Sequence, residues 1–501
     1  MAIKVAIIGA GSVGFTRGMV RDILCVPELQ DTHFALTDIN PHNLDMVMQL
    51  TARDVREAGL PALIEAAPNR RAAISGAKYV FSFVRVGGLE AFATDIDIPL
   101  RYGVDQCVGD TLGPGGIMYA QRTIACLLEF CRDMREVCPP DVLFLNYSNP
   151  MAMNVWACSK YGGVKTVGLC HGIEGGHWQI AQALGLPVTE VDIVCAGINH
   201  QTWYIQVSHK GRDLTGELLA AFERHPEYSR TEKVRIDMMR RFGYFSTESN
   251  GHLSEYVPWY RKRPEEIPDW IDLGSWINGE TGGYLRVCTE GRNWFEHDFG
   301  NWMQQAPLTF DPASRGHERG SYILEALETG RIYRAHFNVM NGGCITNLPA
   351  DCCVEAPGYV DLTGINIPIV GDLPLGCAAV CSASIGVQRL AVEAAVHGDD
   401  ALLRQAMMMD PLTGAVCNPP EIWQMVDEML VAQEQWLPQY RRCVKAADAR
   451  IRKGKVHAAR AYSGAARLPT RTVEEMQRDR AAANRNAGAS DKAQMRKSAR
   501  T

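Results

Sequence analysis

The chain has 501 residues, 46% of them hydrophobic and 22% charged, with ten Trp, sixteen Tyr and fourteen Phe. That apolar content excludes an intrinsically disordered chain, and no uncharged apolar run reaches the roughly 18 residues of a membrane span. The formal net charge of −6 is unevenly spread: from Lys445 onward fifteen Lys and Arg stand against five Asp and Glu, so the chain before it is strongly acidic.

Met1 to Gly9 runs apolar straight into a glycine turn, without the basic lead and cleavage site of a signal peptide. The sequence therefore predicts a first strand and a cytoplasmic protein. The turn is Gly9-Ala10-Gly11-Ser12-Val13-Gly14, followed by a helical stretch, Phe15–Leu24. In a dinucleotide fingerprint the first glycine makes the tight turn and the second admits a pyrophosphate. The third allows close packing of helix on strand, and the helix N-terminus offers unpaired N–H groups to the phosphates. A second strand, Phe34–Thr37, ends in Asp38, placed to accept the ribose hydroxyls and to repel a 2′-phosphate. Gly9, Gly11, Ser12, Val13, Gly14 and Asp38 are thus the expected cofactor contacts, with NAD favoured over NADP.

Further strands are predicted at Tyr79–Val84, Val142–Asn146, Thr166–Leu169 and Asp192–Ala196. Amphipathic helical segments such as Met118–Val137 and Gly175–Leu184 lie between them. Buried strands alternating with helices imply a doubly wound parallel sheet of the Rossmann type, like that of lactate and malate dehydrogenases, over residues 1–200. From residue 200 the texture changes: six of the ten Trp fall between Trp203 and Trp302. They are suited to a core or subunit interface, or to stacking on a ligand. Helical patterns return at Gly320–Leu327, Val387–Val396 and Glu421–Glu434. Residues 201–440 read as an α+β substrate and oligomerisation domain, and residues 445–501 as a basic, poorly ordered tail. No aromatic platform is interleaved with the tail's charge, so no nucleic-acid partner is expected. The sixteen cysteines show no C-x-x-C pair and read as reduced thiols.

Three polar clusters follow strand-like runs: Asn146-Tyr147-Ser148-Asn149-Pro150, Cys170-His171-Gly172 and Gly197-Ile198-Asn199-His200. In a parallel sheet all three would converge on the cofactor's rim. Cys and His from separate strands, completed by substrate oxygens, describe an open divalent-metal site. Each histidine alone equally describes a hydrogen-bonded core residue.

With Asp110–Gly116 and Glu248–Tyr260, these motifs resemble glycoside hydrolase family 4, the NAD- and metal-dependent glycosidases, over roughly residues 1–440. Asn149–Asn154 and Asn347-Leu348-Pro349 are most similar to its α-galactosidase subgroup. The resemblance implies hydrolysis of a small-molecule α-glycoside by oxidation at C3, deprotonation at C2 and elimination of the aglycone. Water addition and re-reduction by the same NADH then complete the cycle, outside the usual two-carboxylate scheme. It implies Cys170 and His200 as ligands of Mn(II), Asn149 holding a substrate hydroxyl, and His171 as general acid on a non-phosphorylated sugar. The C2 base falls to Tyr256 or His252, because Asn250 and His252 stand where the family's Asp or Tyr would be sought. Gly282–Arg286 would bring Arg286 to the pocket as a substrate contact. A homo-oligomer, dimer or tetramer, is the family's habit. An α-glucosidase or hexuronidase would use the same chemistry. A net dehydrogenase of the lactate/malate type would share the fold, but no Asp-x-x-Arg with a later His stands at the spacing usual for that pair, and an NAD-sensing module would bind NAD without needing Mn(II).

Overall fold

The computed structural model describes residues 2–67, 69–272, 279–454, 462, 464 and 467–481. Its first strands are β1 (Lys4–Ile8), β2 (His33–Thr37), β3 (Leu63–Ala66), β4 (Tyr79–Ser82), β5 (Leu143–Asn146) and β6 (Lys165–Gly168). They lie side by side, all parallel, in the order β3-β2-β1-β4-β5-β6. This is the strand order of a Rossmann-type sheet. Tyr79 to Ser82 are buried throughout, as a strand covered by helices on both faces requires. β3 left no clear mark in the sequence because it is a short edge strand with half its residues exposed.

The sheet continues without a break into the second half through β7 (Val191–Ile198), β8 (Gln201–His209), β9 (Arg212–Asp213), β10 (Phe245–Ser246), β11 (Tyr333–Met340), β12 (Cys353–Asp361) and β13 (Gly364–Asn366). Here the strand direction alternates: β11 is antiparallel to β6, β12 to β11, and β7 to β12. The expectation that the strand at Asp192–Ala196 belongs to the parallel set is therefore corrected. That strand lies beside β12, with Glu355 opposite Gly197, and so runs against β6 and its parallel neighbours. Ile198 then pairs with Gln201, so β7 turns back into β8 through two residues, Asn199 and His200. A two-residue turn can only join antiparallel strands.

Several helices begin earlier than the apolar pattern indicates. The helix expected from Met118 spans Gly113–Val137, and its first turn contains Pro114, Gly115 and Gly116. Pro is at home in a first turn. The glycines are dictated by closeness: a Cβ on Gly116 would lie 2.5 Å from the Thr111 carbonyl carbon, and one on Gly115 2.4 Å from the Gly109 oxygen. Gly116→Ala is expected to lower stability by about 1–3 kcal/mol, read as a shift in the urea midpoint, and to displace Thr111.

The Leu375–His397 helix is long and apolar enough by composition to cross a membrane, but half of its most apolar window is buried inside the protein. It packs on the Gly113–Val137 helix as a core element. Trp203 is fully buried against Phe242, and Trp270 and Trp302 pack edge-on against Tyr260 and Phe295. These members of the tryptophan-rich region fill cores and helix contacts. All sixteen cysteines are free thiols.

Of the basic tail, residues 455–461, 463, 465, 466 and 482–501 lie outside the described residues. Of the remainder, residues 445–452 belong to the Arg441–Arg452 helix and residues 473–481 form another, so these parts of the expected tail are helical.

Candidate active site

The glycine loop is stitched to the end of β2. Gly9 takes φ of 84°, and the Gly9 and Ala10 N–H groups donate to the Thr37 carbonyl at 3.0 and 3.1 Å. A Cβ on Gly9 would come within 2.9 Å of the Phe83 backbone, so glycine is required by both conformation and space. Asp38 closes the loop, accepting from the Gly11 N–H at 2.8 Å and from the Asn40 N–H at 2.7 Å. Ser12 precedes the Val13–Leu24 helix without a side-chain capping bond. The helix's first-turn N–H groups, which no helix can satisfy internally, are left for another acceptor. The expected reason for Gly14 does not hold. A Cβ there would meet nothing within 4 Å, so close packing of helix on strand is not what keeps it small.

Cys170 and His200 come together because β6 and β7 approach from opposite directions. Gly168 at the end of β6 pairs with Asn338, Asn338 pairs with Glu355, and Glu355 pairs with Gly197 near the end of β7. Two residues beyond Gly168 and three beyond Gly197, the Cys170 Sγ and the His200 Nε2 lie 3.2 Å apart. His200 takes φ of 64° in its tight turn, a left-handed conformation rare for a residue with a Cβ. Behind the turn the Asn199 amide donates to the buried Glu355 carboxylate at 3.1 Å. Burial pushes the Cys170 thiol well up, and the Glu355 and Glu248 carboxylates add to the effect. A cation placed between these groups would favour the thiolate.

The other imidazole nitrogen of His200 faces a polar wall. Its Nδ1 lies 3.0 Å from the Thr111 hydroxyl, 2.9 Å from His252 Nε2, 3.2 Å from the Tyr256 hydroxyl and 3.3 Å from Glu248. Donor atoms of Cys170, His200 and Glu248 all lie within 4.8 Å of one another. Thiol, imidazole and carboxylate make a mixed donor set in which the Glu248 carboxylate, with sugar oxygens, suits a first-row divalent ion such as Mn(II).

Glu248, His252 and Tyr256 are spaced four apart, and the Asn250–Tyr256 helix brings the last two onto one face. Ser249 caps that helix by accepting the His252 N–H at 3.2 Å. The Tyr256 hydroxyl meets His252 Nε2 at 2.5 Å. His252 Nδ1 lies 3.0 Å from Glu255, whose other bonds come from the Val108 and Gly109 N–H groups at 2.9 and 3.0 Å. An ionised Glu255 can only accept, so it fixes the Nδ1–H tautomer and leaves the His252 Nε2 lone pair facing Tyr256. Burial pushes the Tyr256 phenol well above its usual range, with Glu248 and Glu255 adding to it.

Asn149 donates to the buried Asp110 carboxylate at 3.1 Å. Burial works to raise that carboxyl, but Arg85, 3.3 Å away, with His252 and His200, outweighs it and holds Asp110 ionised below the usual range. Asp110 also accepts from Thr111 at 2.9 Å, which links Asn149 to His200. His171, 46% exposed, stands beside Cys170 with its Nε2 3.6 Å from Glu318. Arg286 is engaged elsewhere, by Glu280 at 3.0 Å and Glu290 at 3.2 Å. The arginine that meets Asp110 is Arg85, which the sequence did not single out. Thr111, Asp110, Glu248 and Glu255 were also missed as individual residues. The legible signal for Glu248 was its spacing of four from His252 and of eight from Tyr256.

A Rossmann-type sheet with a carboxylate-sealed glycine loop, and with thiol, imidazole and carboxylate donors at its inner strand ends, defines a dinucleotide-and-metal type of enzyme. Comparison with known proteins gives the family. Residues 4–186 match the model described as family 4 glycosyl hydrolase, and residues 195–413 match the family 4 glycosyl hydrolase C-terminal domain. The chain is 56% identical to the α-galactosidase of Rhizobium meliloti (strain 1021) over 96% of this chain and 98% of that one. It is 35% identical to the α-galactosidase of Bacillus subtilis (strain 168), over 87% of this chain and all of that one. Among solved structures, a 6-phospho-α-glucosidase from gut microorganisms, in complex with NAD and glucose-6-phosphate, superposes with a TM-score of 0.71. It is 25% identical and covers 87% of this chain and 99% of that one. This chain belongs to glycoside hydrolase family 4.

Proposed function

We propose that the protein is an NAD- and Mn(II)-dependent α-galactosidase. The observation that carries the reading is the Cys170–His200 pair at 3.2 Å, set against the Glu248–His252–Tyr256 face in the same protein as the Asp38-sealed glycine loop. The sugar assignment is supported by the two α-galactosidase relatives and by His171, which the family resemblance associates with a non-phosphorylated substrate.

Bound NAD would exchange a hydride with C3 of the sugar. A metal held by Cys170 and His200, with Glu248 beside them, would act as a Lewis acid on the sugar's C2 and C3 oxygens. The chain's own residues do the rest. Asn149, anchored by Asp110 and Arg85, holds a hydroxyl near those ligands. Tyr256 takes the C2 proton while its own phenolic proton passes along the 2.5 Å contact to His252 Nε2. His252 can accept it because Glu255 occupies the Nδ1 side. His171, exposed at the mouth, donates a proton to the departing glycosidic oxygen. The reading includes a cytoplasmic homo-oligomer of two or four copies. The outer face of the Leu375–His397 helix, where Leu375 is 85% exposed and Ala379 and Ala383 are also exposed, offers a surface for it.

The test is hydrolysis of 4-nitrophenyl α-galactoside with and without NAD, Mn(II) and a thiol. Activity that needs NAD and Mn(II) while no NADH accumulates is expected. Turnover of NAD to free NADH would instead establish a dehydrogenase, and hydrolysis of glucosides or hexuronides alone would reject the sugar. For the cofactor, Asp38→Ala removes a charged acceptor worth about 1.5–3 kcal/mol. Calorimetry should then show NAD binding weakened by about ten- to a hundredfold, with NADP weakened less.

A further inference from the structure

The basic C-terminal segment lies outside the family match, which ends at residue 413. Beyond residue 454 its described residues (462, 464 and 467–481) lie against the body through ion pairs and close contacts. The Tyr462 hydroxyl donates to Asp105 at 2.7 Å. That buried carboxylate also takes Arg261 at 2.6 Å and the Thr281 hydroxyl at 2.9 Å. Gly464, at φ of 101°, sits so close to Thr281 that a Cβ would come within 2.6 Å of its hydroxyl. The Arg471 main-chain N–H and guanidinium together grip Glu290 at 2.9, 3.1 and 2.7 Å. Glu290 is buried and also binds Arg286. Arg467 pairs with Asp97 at 2.7 Å. Arg480 reaches Asp298 at 3.5 Å and lies over the Trp294 ring. The 473–481 helix starts with a reciprocal cap between Thr472 and Glu475.

The part of the body that it grips borders the site. The Gly283–Gln304 helix enters through Gly282, whose N–H donates to the Gln106 carbonyl at 2.8 Å, and Tyr284, which donates to Cys107 at 3.2 Å. Tyr284 lies against the Arg85 guanidinium, 5.4 Å from ring centre to carbon, and Arg85 pairs with Asp110. Asp110 holds Asn149 and Thr111. Thus Tyr462 and Arg471 each bear on a segment that leads to Asn149, in one contact from the 105–111 loop and in three from the Gly283–Gln304 helix.

The seat is not a filled apolar core. An open groove runs between the 473–481 helix and the Gly283–Gln304 helix, with Arg17, Trp294, Trp302, Arg471, Met476 and Arg480 among its walls. The contacts that hold the described segment to the body are chiefly ion pairs, which give Arg467, Arg471 and Arg480 carboxylate partners within the same chain.

We propose that the C-terminal segment is an electrostatic strap. Tyr462 and Arg471 act as positioning residues that hold the 279–304 wall against the 105–111 loop and so keep Arg85, Asp110 and Asn149 aligned for substrate. The effect on substrate rests on the glycosidase reading, but the strap itself can be measured without it. Hydrogen exchange on the full chain, wild type against Arg471→Ala, is expected to show amides of residues 282–290 exchanging at least about fivefold faster in the variant. Arg471→Lys should be intermediate, and wild type in 0.5 M NaCl should move the same way. On 4-nitrophenyl α-galactoside, KM should rise by about three- to tenfold with kcat and the Mn(II) affinity nearly unchanged. Unchanged exchange at 282–290 in both Arg471→Ala and high salt overturns the strap. Faster exchange with an unchanged KM overturns its role at the site. Should Arg471→Ala not fold, the salt series on wild type and the Tyr462→Phe variant decide. Absence of any galactosidase activity would count against the glycosidase reading alone, because exchange needs no substrate.

Discussion

Replacing the Cys170 thiol with a hydroxyl is expected to lower kcat/KM on 4-nitrophenyl α-galactoside by at least about a thousandfold, with NAD binding intact. Serine is nearly isosteric, so the Gly172 N–H that approaches Cys170 Sγ at 3.4 Å keeps an acceptor and the strand end should hold its shape. What is lost is the soft anionic donor. A neutral hydroxyl beside His200 binds a divalent cation far more weakly than an anionic thiolate does. The loss should be visible without turnover, as weakened Mn(II) binding in an electron paramagnetic resonance titration. His200→Ala should match it, because the two donors are 3.2 Å apart and serve one centre. Unchanged Mn(II) affinity in Cys170→Ser would sink the assignment and leave His200 and Glu248 as the donors.

The second large effect concerns the proton at C2. Tyr256→Phe removes the hydroxyl that contacts His252 at 2.5 Å, yet leaves a ring that fits the same fully buried position. A general base contributes about a hundred- to ten-thousandfold, and kcat should fall by that order. Exchange of the substrate's C2 deuterium with solvent should disappear in parallel. Glu255→Gln tests the group behind it. The carboxylate takes Val108 on one oxygen and Gly109 on the other, whereas an amide has a single oxygen and loses one of these bonds. With its NH2 at the Oε1 position it donates to His252 Nδ1, and the Nδ1–H tautomer is no longer fixed. A fall in kcat of about ten- to a hundredfold with KM little changed is expected. If Tyr256→Phe retains C2 exchange while His252→Ala loses it, the base is the histidine and the tyrosine only orients it.

The parts of this site that were legible in the sequence are those whose residues report on one another over short distances. Strand, Gly9–Gly14, helix, second strand and Asp38 lie within 38 residues, and the structure sets the Asp38 carboxylate 2.8 Å from the Gly11 N–H, beside the loop that the spacing marked for the cofactor. The glycine at position 9 was predictable from the tight turn, whereas the packing reason offered for Gly14 was not met, because what surrounds a Cβ is a tertiary fact. Arg286 illustrates the same limit. Its place in a Gly-Gly-Tyr-Leu-Arg run says nothing of the two carboxylates, Glu280 and Glu290, that hold it, or of Arg85 taking the position beside Asp110.

By itself, then, the sequence determined the Rossmann-type unit, the family and the residue types of the centre, since contiguous hydrophobic patterning and short motifs encode these directly. The meeting of Cys170 with His200 was decided by strand direction. Antiparallel pairing with β12 turns β7 against β6, and the β6-β11-β12-β7 register then sets the two strand ends against each other. The Glu255–His252–Tyr256 alignment and the gripping of the wall by Arg471 likewise join segments more than a hundred residues apart, as Val108 with Glu255 and Glu290 with Arg471 show. Such contacts depend on side-chain reach across folded elements, and a linear pattern carries no record of which strand or helix will lie opposite.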